Sequence, residues 1–343
     1  MKGIVYGLLL GITLLLLGIA LWSAEAIAGE DPFAEFISPV SNPTNFEDAR
    51  IESDVRPLYI YHSINKNFLD VVRAAGLQPP GGNAQIVAVQ IRLKLTDRLA
   101  LIATKDGYVW VHPQHDIDNV VKYGNGFANV AAGLKYNFFR DVTLPALATA
   151  GLRYEAPSGE PQALQGSVFR NNNALDLDLH ERGNGILNLF ASGVWGDHNL
   201  HVLAYTGPRL ALSGADSSFY DLSVHADYKV GSLYPLIELN WIHVLDGGSR
   251  LRPLENGLRA LTKNPNLQIN QEGSDFFNLG APSAGGTDTA TLALGWRWRI
   301  LDNLDVLGQS GGVDWGAVGE LPIGSGQSIF DWRVTTDLVF WVL

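Results

Sequence analysis

The stretch FYDLSVHADYKV, Phe219–Val230, decides how this chain is to be read. Tyr220, Leu222, Val224, Ala226, Tyr228 and Val230 fall on one face of an extended strand, and Asp221, Ser223, His225, Asp227 and Lys229 on the other. Side chains alternate strictly across a strand, so this pattern has period two and cannot be the face of a helix. The same alternation recurs outward in both directions. Val87, Val89, Ile91, Leu93 and Leu95 oppose Gln90, Arg92 and Lys94, and Val130, Leu134, Tyr136 and Phe138 oppose Asn129 and Lys135. Leu292, Leu294, Trp296 and Trp298 oppose Arg297 and Arg299, and Trp332, Val334, Leu338 and Phe340 oppose Asp331, Arg333 and Asp337. These runs are about ten to thirteen residues long, whereas ordinary strands have about five or six and membrane-crossing strands need about nine to eleven.

Connections sort into two kinds. Short turns are expected at Thr96-Asp97, Arg140-Asp141, Gly196-Asp197, Gly231-Ser232 and Asp302-Asn303. Between them come longer polar stretches, at His112–Gly126, Ala156–Gly185, Gly207–Ser217, Asp246–Gly286 and Glu320–Gln327. The stretch Asp246–Gly286 is long enough to hold a short helix or to fold inward. Short turns on one rim and long loops on the other are the layout of an outer-membrane barrel. With a further strand near Val55–His62 the count comes to about twelve. The expected fold is therefore all-β, a transmembrane antiparallel up-and-down barrel closed because no strand edge can be left unpaired in hydrocarbon. Tyr136, Tyr154, Tyr220, Tyr228, Trp296, Trp298, Trp332 and Trp341 are placed for interfacial girdles. A soluble sandwich or barrel would alternate as well, but with shorter strands.

Composition agrees. Of 343 residues only 17% are charged, below the usual quarter, while Gly 37, Trp 9, Tyr 11 and Phe 14 suit strands joined by turns. The net charge of −11 removes the basic footprint that a non-specific nucleic-acid binder needs. Without cysteine there is no disulfide framework, thiolate metal site or cysteine nucleophile.

At the N-terminus Lys2 precedes an apolar run from Gly3 to Trp22, followed by Ala24-Glu25-Ala26 and Ala26-Ile27-Ala28. This reads as an export signal over residues 1–28, cleaved after Ala26 or Ala28, although the run is also long enough for an anchor. Residues 29–54 carry several prolines and no period, which suits a periplasmic leader or plug, and residues 55–343 form the barrel.

The polar face collects the candidates for a solute path: Arg92, Lys94, Lys135, Arg153, Asp221, His225, Asp227, Lys229, Glu238, Arg297, Arg299, Asp331, Arg333 and Asp337, with Glu155 beside them. Such rows guide polar or anionic solutes in channels, and equally they form ion-pair lattices that fill a narrow barrel. Asp221, Ser223 and His225 contain the residue types of a hydrolase set. Alternate positions of one strand stand about 6.5 to 7 Å apart, too far for triad contacts of about 2.6 to 3.2 Å. His112/His115 and His198/His201 have spacings a metal could use, but they read as ordinary turn histidines, and Asp116-Ile117-Asp118 lacks the glycine and distal glutamate of an EF-hand. No catalytic residue, metal or cofactor is expected.

At Gly151-Leu-Arg-Tyr-Glu-Ala-Pro-Ser-Gly159 a strand runs into a Pro-Ser-Gly loop. This resembles the strand-to-"PTG" loop of outer-membrane transporters grouped with the MetA pathway of phenol degradation, with Ser158 in place of the threonine. The later strands through Trp195 and Trp241 are similar in layout. The resemblance implies a channel for hydrophobic or aromatic small molecules. The expected function is passive transport of small molecules, with outer-membrane lipids, the solute and the barrel-assembly machinery as partners. A structural or surface-interaction barrel is the alternative, and an outer-membrane hydrolase a further one.

Overall fold

The computed structural model describes residues 32–342 apart from 77, 80, 113, 115–123, 160–163, 167–174, 178–182, 274, 307–308 and 325–328. The expected export signal lies outside the described residues. Strands follow in the order β1 (Ser53–Ile64), β2 (Gly82–Thr96), β3 (Leu99–Lys105), β4 (Tyr108–His112), β5 (Gly124–Phe127), β6 (Val130–Asp141), β7 (Ala146–Ala156), β8 (Leu164–Gly166) and β9 (Leu175–Leu177). They continue as β10 (Ile186–Gly196), β11 (Leu200–Ala211), β12 (Ser218–Tyr228), β13 (Leu233–Asp246), β14 (Asp288–Val306), β15 (Gln309–Ile323) and β16 (Phe330–Val342). One sheet of fourteen segments closes on itself because β1 pairs with both β16 and β2. Its pairings are all antiparallel.

Two pairs of segments are single strands with a break. β3 and β4 both pair with β2, at Ile91–Thr96 and Asn83–Val87, so they form one strand interrupted at Asp106-Gly107. β6 pairs with β3 and β5 with β4, so these two are likewise one strand, interrupted at Ala128-Asn129. The ring thus has twelve strands, as the alternation implied. At the first break the Asp106 carboxylate accepts from Val89 N at 2.9 Å, and Gly107 has φ +111°, a backbone region that favours glycine. Gly107 O accepts from Ala128 N, tying the two breaks together. The Pro-Ser-Gly loop sits against the second break: Ser158 Oγ accepts from Val130 N and Asn129 Oδ1 from Gly159 N.

Leu134, Leu152, Leu189, Leu222, Leu239, Leu294 and Leu321 are between 42% and 58% exposed, whereas Arg56 and Arg297 on neighbouring faces are fully buried. A soluble protein rarely shows so large an apolar surface, and a bilayer covers it without penalty. Trp195, Tyr228, Trp296, Trp298 and Trp332 lie on this outer face. Trp341 does not. It shares the parity of Arg333 and Asp337, is 6% exposed, and lies under the Arg299 guanidinium at 5.1 Å.

Short connections fall where expected to within two residues, Arg140 and Asp141 ending β6 with the turn at 142–145, and one needs a larger correction. β14 runs through Asp302-Asn303 to Val306, its register slipping between Arg299 and Leu301 and between Leu301 and Leu304. Bulges absorb the turn-like residues, so the β14–β15 pairing continues past them to Val306 and Gln309. The stretch expected as loop at Gly207–Ser217 begins inside β11, and the one at His112–Gly126 ends in β5. Between Asp246 and Gly286 lies helix α1 (Arg252–Thr262), with Pro253 in its first turn and Leu254 and Leu258 buried one turn apart. A short 3-10 helix (Asp70–Ala75) packs beside it.

A stoppered lumen as the candidate functional site

Two segments of the chain itself enter the barrel interior. Residues 36–50 run through it in irregular conformation, buried throughout. Backbone groups without secondary structure must find partners elsewhere, and here the wall supplies them. Glu238 accepts from Val40 N at 2.8 Å and Ser41 N at 2.6 Å. Arg297 Nε donates to Ser38 O at 3.0 Å, Arg56 to Pro39 O at 2.8 Å, and Arg153 to Thr44 O and Asn45 O. Thr149 Oγ1 donates to Ala49 O at 2.6 Å.

Side chains add a second set of contacts. Glu47 accepts from Arg92 Nε at 2.7 Å and from Lys135 Nζ at 2.9 Å. Burial works to raise its carboxyl, but Arg92 and Lys135 outweigh burial and hold it down to about 2. Asp48 is chelated by Arg50 within the segment. Behind Glu238 a chain of contacts leads round the wall: His225 Nδ1 meets Glu238 at 2.7 Å, its Nε2 meets Asp227 at 2.9 Å, and Asp227 meets His201 at 2.8 Å.

From the loop rim the segment 267–284 folds inward. Asp275 receives Arg333 at 2.6 and 2.7 Å, and its carbonyl accepts from Asn45, so this segment touches the N-terminal one. Glu272 anchors it by accepting from Ser217 Oγ at 2.6 Å and Ala281 N at 2.8 Å. Around it the loop-side half of the lumen holds an apolar cluster beside these ion pairs: Leu58, Ile60, Ile86, Phe219, Ile242 and Val244 of the wall meet Leu254, Ile269, Phe276 and Phe277. His62 lies there between Phe277 and Phe330, fully buried, with neither ring nitrogen hydrogen-bonded among the described residues. Three cavities lined by described residues hold about 10, 30 and 20 Å³, each with room for single waters.

Of the predicted path residues, Arg92, Lys135, Arg153, Asp221, His225, Asp227, Glu238, Arg297, Arg299, Arg333 and Asp337 face the interior and are buried. Lys94 and Lys229 stand at the turn-side rim, on Asp97 at 3.3 Å and on Glu35 at 2.6 Å. Asp331 is corrected: Ser63 pairs with Trp332 and Ile64 with Phe330, so Asp331 is the extra residue of a bulge and is exposed. Asp221 grips Arg209, while Ser223 receives Asn42, and His225 is held by two carboxylates, so the three make no hydrolase chain. His112 and His198 are exposed, His201 is buried against Asp227, and His115 lies outside the described residues.

Sequence reading missed Arg56, Glu47, Asp54, Arg209, Asp275 and Glu320. For Arg56, Arg209 and Glu320 the alternation of β1, β11 and β15 was the available signal. No periodicity marks Glu47 or Asp275.

No protein-family model and no curated protein matches the chain. Among solved structures, an outer membrane channel from Pseudomonas putida (COG4313) superposes with a TM-score of 0.52 at 12% identity, over 92% of this chain and 100% of that one. The toluene transporter TbuX of Ralstonia pickettii gives a TM-score of 0.37 at 10% identity, over 90% and 98% of the two chains. The first likeness is one of fold. Together with the apolar outer belt it defines the class: a twelve-stranded outer-membrane β-barrel whose lumen is closed by its own N-terminal segment and an infolded loop.

Proposed function

We propose that the barrel is a channel for passive transport of small hydrophobic or aromatic molecules across the outer membrane. The observation that carries this reading is the way the lumen is closed. Two inserted segments block it, and in the loop-side half that they cover, a cluster of aliphatic and aromatic wall residues gathers around Phe276 and Phe277. A barrel built only to be rigid has no use for an apolar vestibule under a folded-in loop. The resemblance of Gly151–Gly159 to transporters of the phenol-degradation group supports the same solute class. Solute would enter between the long loops, displace the segment 267–284, and leave past the N-terminal segment. Residues 1–28 would be the removed export signal, 29–54 the periplasmic leader that becomes the plug, and the barrel-assembly machinery would insert residues 55–343.

The second reading, a non-transporting structural barrel, is favoured by the buried ion pairs of Arg56, Arg92, Arg297 and Arg333, which brace the wall at several depths. Uptake separates the two. Proteoliposomes carrying the refolded protein should take up a radiolabelled monoaromatic compound several-fold faster than empty ones. Equal rates would leave the structural reading.

A further inference from the structure

Phe46 and Glu47 are seated unlike the rest of the N-terminal segment. Elsewhere the wall grips the segment largely by its backbone, but here it grips side chains. The Glu47 carboxylate is met by Arg92 Nε on Oε1 at 2.7 Å and by Arg92 NH2 on Oε2 at 3.0 Å, a two-pronged contact, with Lys135 Nζ on Oε1 at 2.9 Å. Phe46, the preceding residue, is fully buried in a cluster with Ile102, Phe190 and Tyr205, its ring centroid 6.1 Å from that of Tyr205. Phe190 and Tyr205 stack on each other at 5.6 Å. The registers place Arg92, Ile102, Gly133 and Arg153 in one row across β2, β3, β6 and β7, with Lys135 two residues along from Gly133. In the wall itself Asp54 is the carboxylate on Arg92, at 3.1 Å. Arg92 and Arg153 in this row and Lys135 beside it face Asp54 and, from farther along the wall, Asp221, and Glu47 adds the carboxylate that Arg92 and Lys135 share.

We propose that this cradle of Arg92 and Lys135, with the aromatic slot of Phe190 and Tyr205 beside it, is a binding site for an aryl carboxylate, an aromatic ring on a short spacer ending in a carboxylate. Phe46-Glu47 fills it as an internal stand-in. A buried ion pair adds little net stability, yet leaving one partner unpaired is costly. Exchanging one carboxylate for another keeps both cations compensated, so an aryl acid that takes the place of Glu47 spares the cost of two unpaired buried cations. A neutral arene of the same shape would strand the cations. The site therefore selects by charge among the aromatic molecules of the channel reading, on which this inference rests and which it narrows.

The absence of cysteine allows a direct test. Ala49, fully buried in the segment, is replaced in the full chain as Ala49→Cys, and the folded barrel is confirmed by heat-modifiable mobility. Labelling by a water-soluble maleimide then reports withdrawal of the segment. With 3-phenylpropionate the rate should rise about tenfold, a decade of population shift, while 3-phenylpropionamide should leave it unchanged. Lys135→Met in the same background should remove the difference between acid and amide. If acid and amide act alike, or neither changes the rate, the site is refuted. Should Ala49→Cys not fold, Ser41→Cys, equally buried, carries the same comparison. Labelling requires no flux: acid-dependent labelling without uptake keeps the site and discards transport, whereas uptake with acid-independent labelling does the reverse.

Discussion

Asp337 compensates two buried guanidiniums at once. Arg297 donates to both of its oxygens, at 2.9 and 3.1 Å, and Arg56 shares Oδ2 with it, all three residues being at most 3% exposed. Asp337→Asn would leave two cations sharing no anion, and removing one partner of a buried pair costs about 3–5 kcal/mol. A clear fall in the temperature of the heat-modifiable transition is expected, while Asp331→Asn, on the exposed bulge, should stay within about 0.5 kcal/mol of the parent. Glu52 makes a pH-dependent case. Burial pushes its carboxyl up to about 7, with Asp48 and Asp54 adding to the rise and Arg50 opposing it. The folded value lies above the unfolded one of about 4.3, so the folded state holds this proton more tightly. Its ionisation therefore costs folding stability above pH 7, a penalty that fades as pH falls through 7 and is gone near pH 4. Glu52→Gln should raise the unfolding temperature at pH 8 by about 2 °C or more and leave it unchanged at pH 4. At this scale the sequence was legible only in part. Period two placed eleven of the fourteen residues expected on a solute path in the barrel interior, because a strand offers its side chains no third direction. It could not name their partners. Arg56 and Asp337 are 281 positions apart, and Glu47 and Asp275 sit in segments without any period.

Among the elements, the break at Asp106-Gly107 is the most constrained. A Cβ on Gly107 would stand 2.4 Å from Val87 O, at a φ of +111° that other residues avoid. Gly107→Ala should destabilise by about 1–3 kcal/mol, whereas Gly231→Ala, at a positive φ but facing open space, should cost less. Comparing the two in urea-dependent unfolding in detergent isolates the steric part. The breaks themselves were hidden in the sequence, since β3 to β4 and β5 to β6 keep an apolar outer row on both sides of the interruption. Strand existence was plain from length and alternation. Boundaries failed where bulges absorb turn-like residues, as at Asp302-Asn303, and where pairing partners extend a strand past its periodic core, as in β11 and β5. Helix α1 was foreseeable only as an option, because its two buried leucines pack inside a barrel whose closure the local sequence does not encode.

At the scale of the whole molecule, the wall and its stopper play different electrostatic roles. The wall is closed by its own backbone ladder, so it does not need the N-terminal segment for its hydrogen bonds. The segment, without helix or strand, closes its own turns and its Arg50–Asp48 contacts but takes the remaining backbone partners from the wall, at Glu238, Arg56, Arg153, Arg297 and Thr149. Removing it exchanges those contacts for water in a lumen whose charges water solvates well, while the ladder stays intact. Deleting residues 32–52 should therefore yield a barrel that still inserts and shows heat-modifiable mobility. In planar bilayers its conductance should be at least several-fold above that of the full chain, in which residues 36–50 lie buried inside the barrel. A synthetic peptide of residues 32–52 should close those steps again, since the wall keeps every partner the peptide needs. A folded deletion variant that stays silent would show that the segment 267–284, held by Glu272 and by Arg333 on Asp275, closes the lumen unaided.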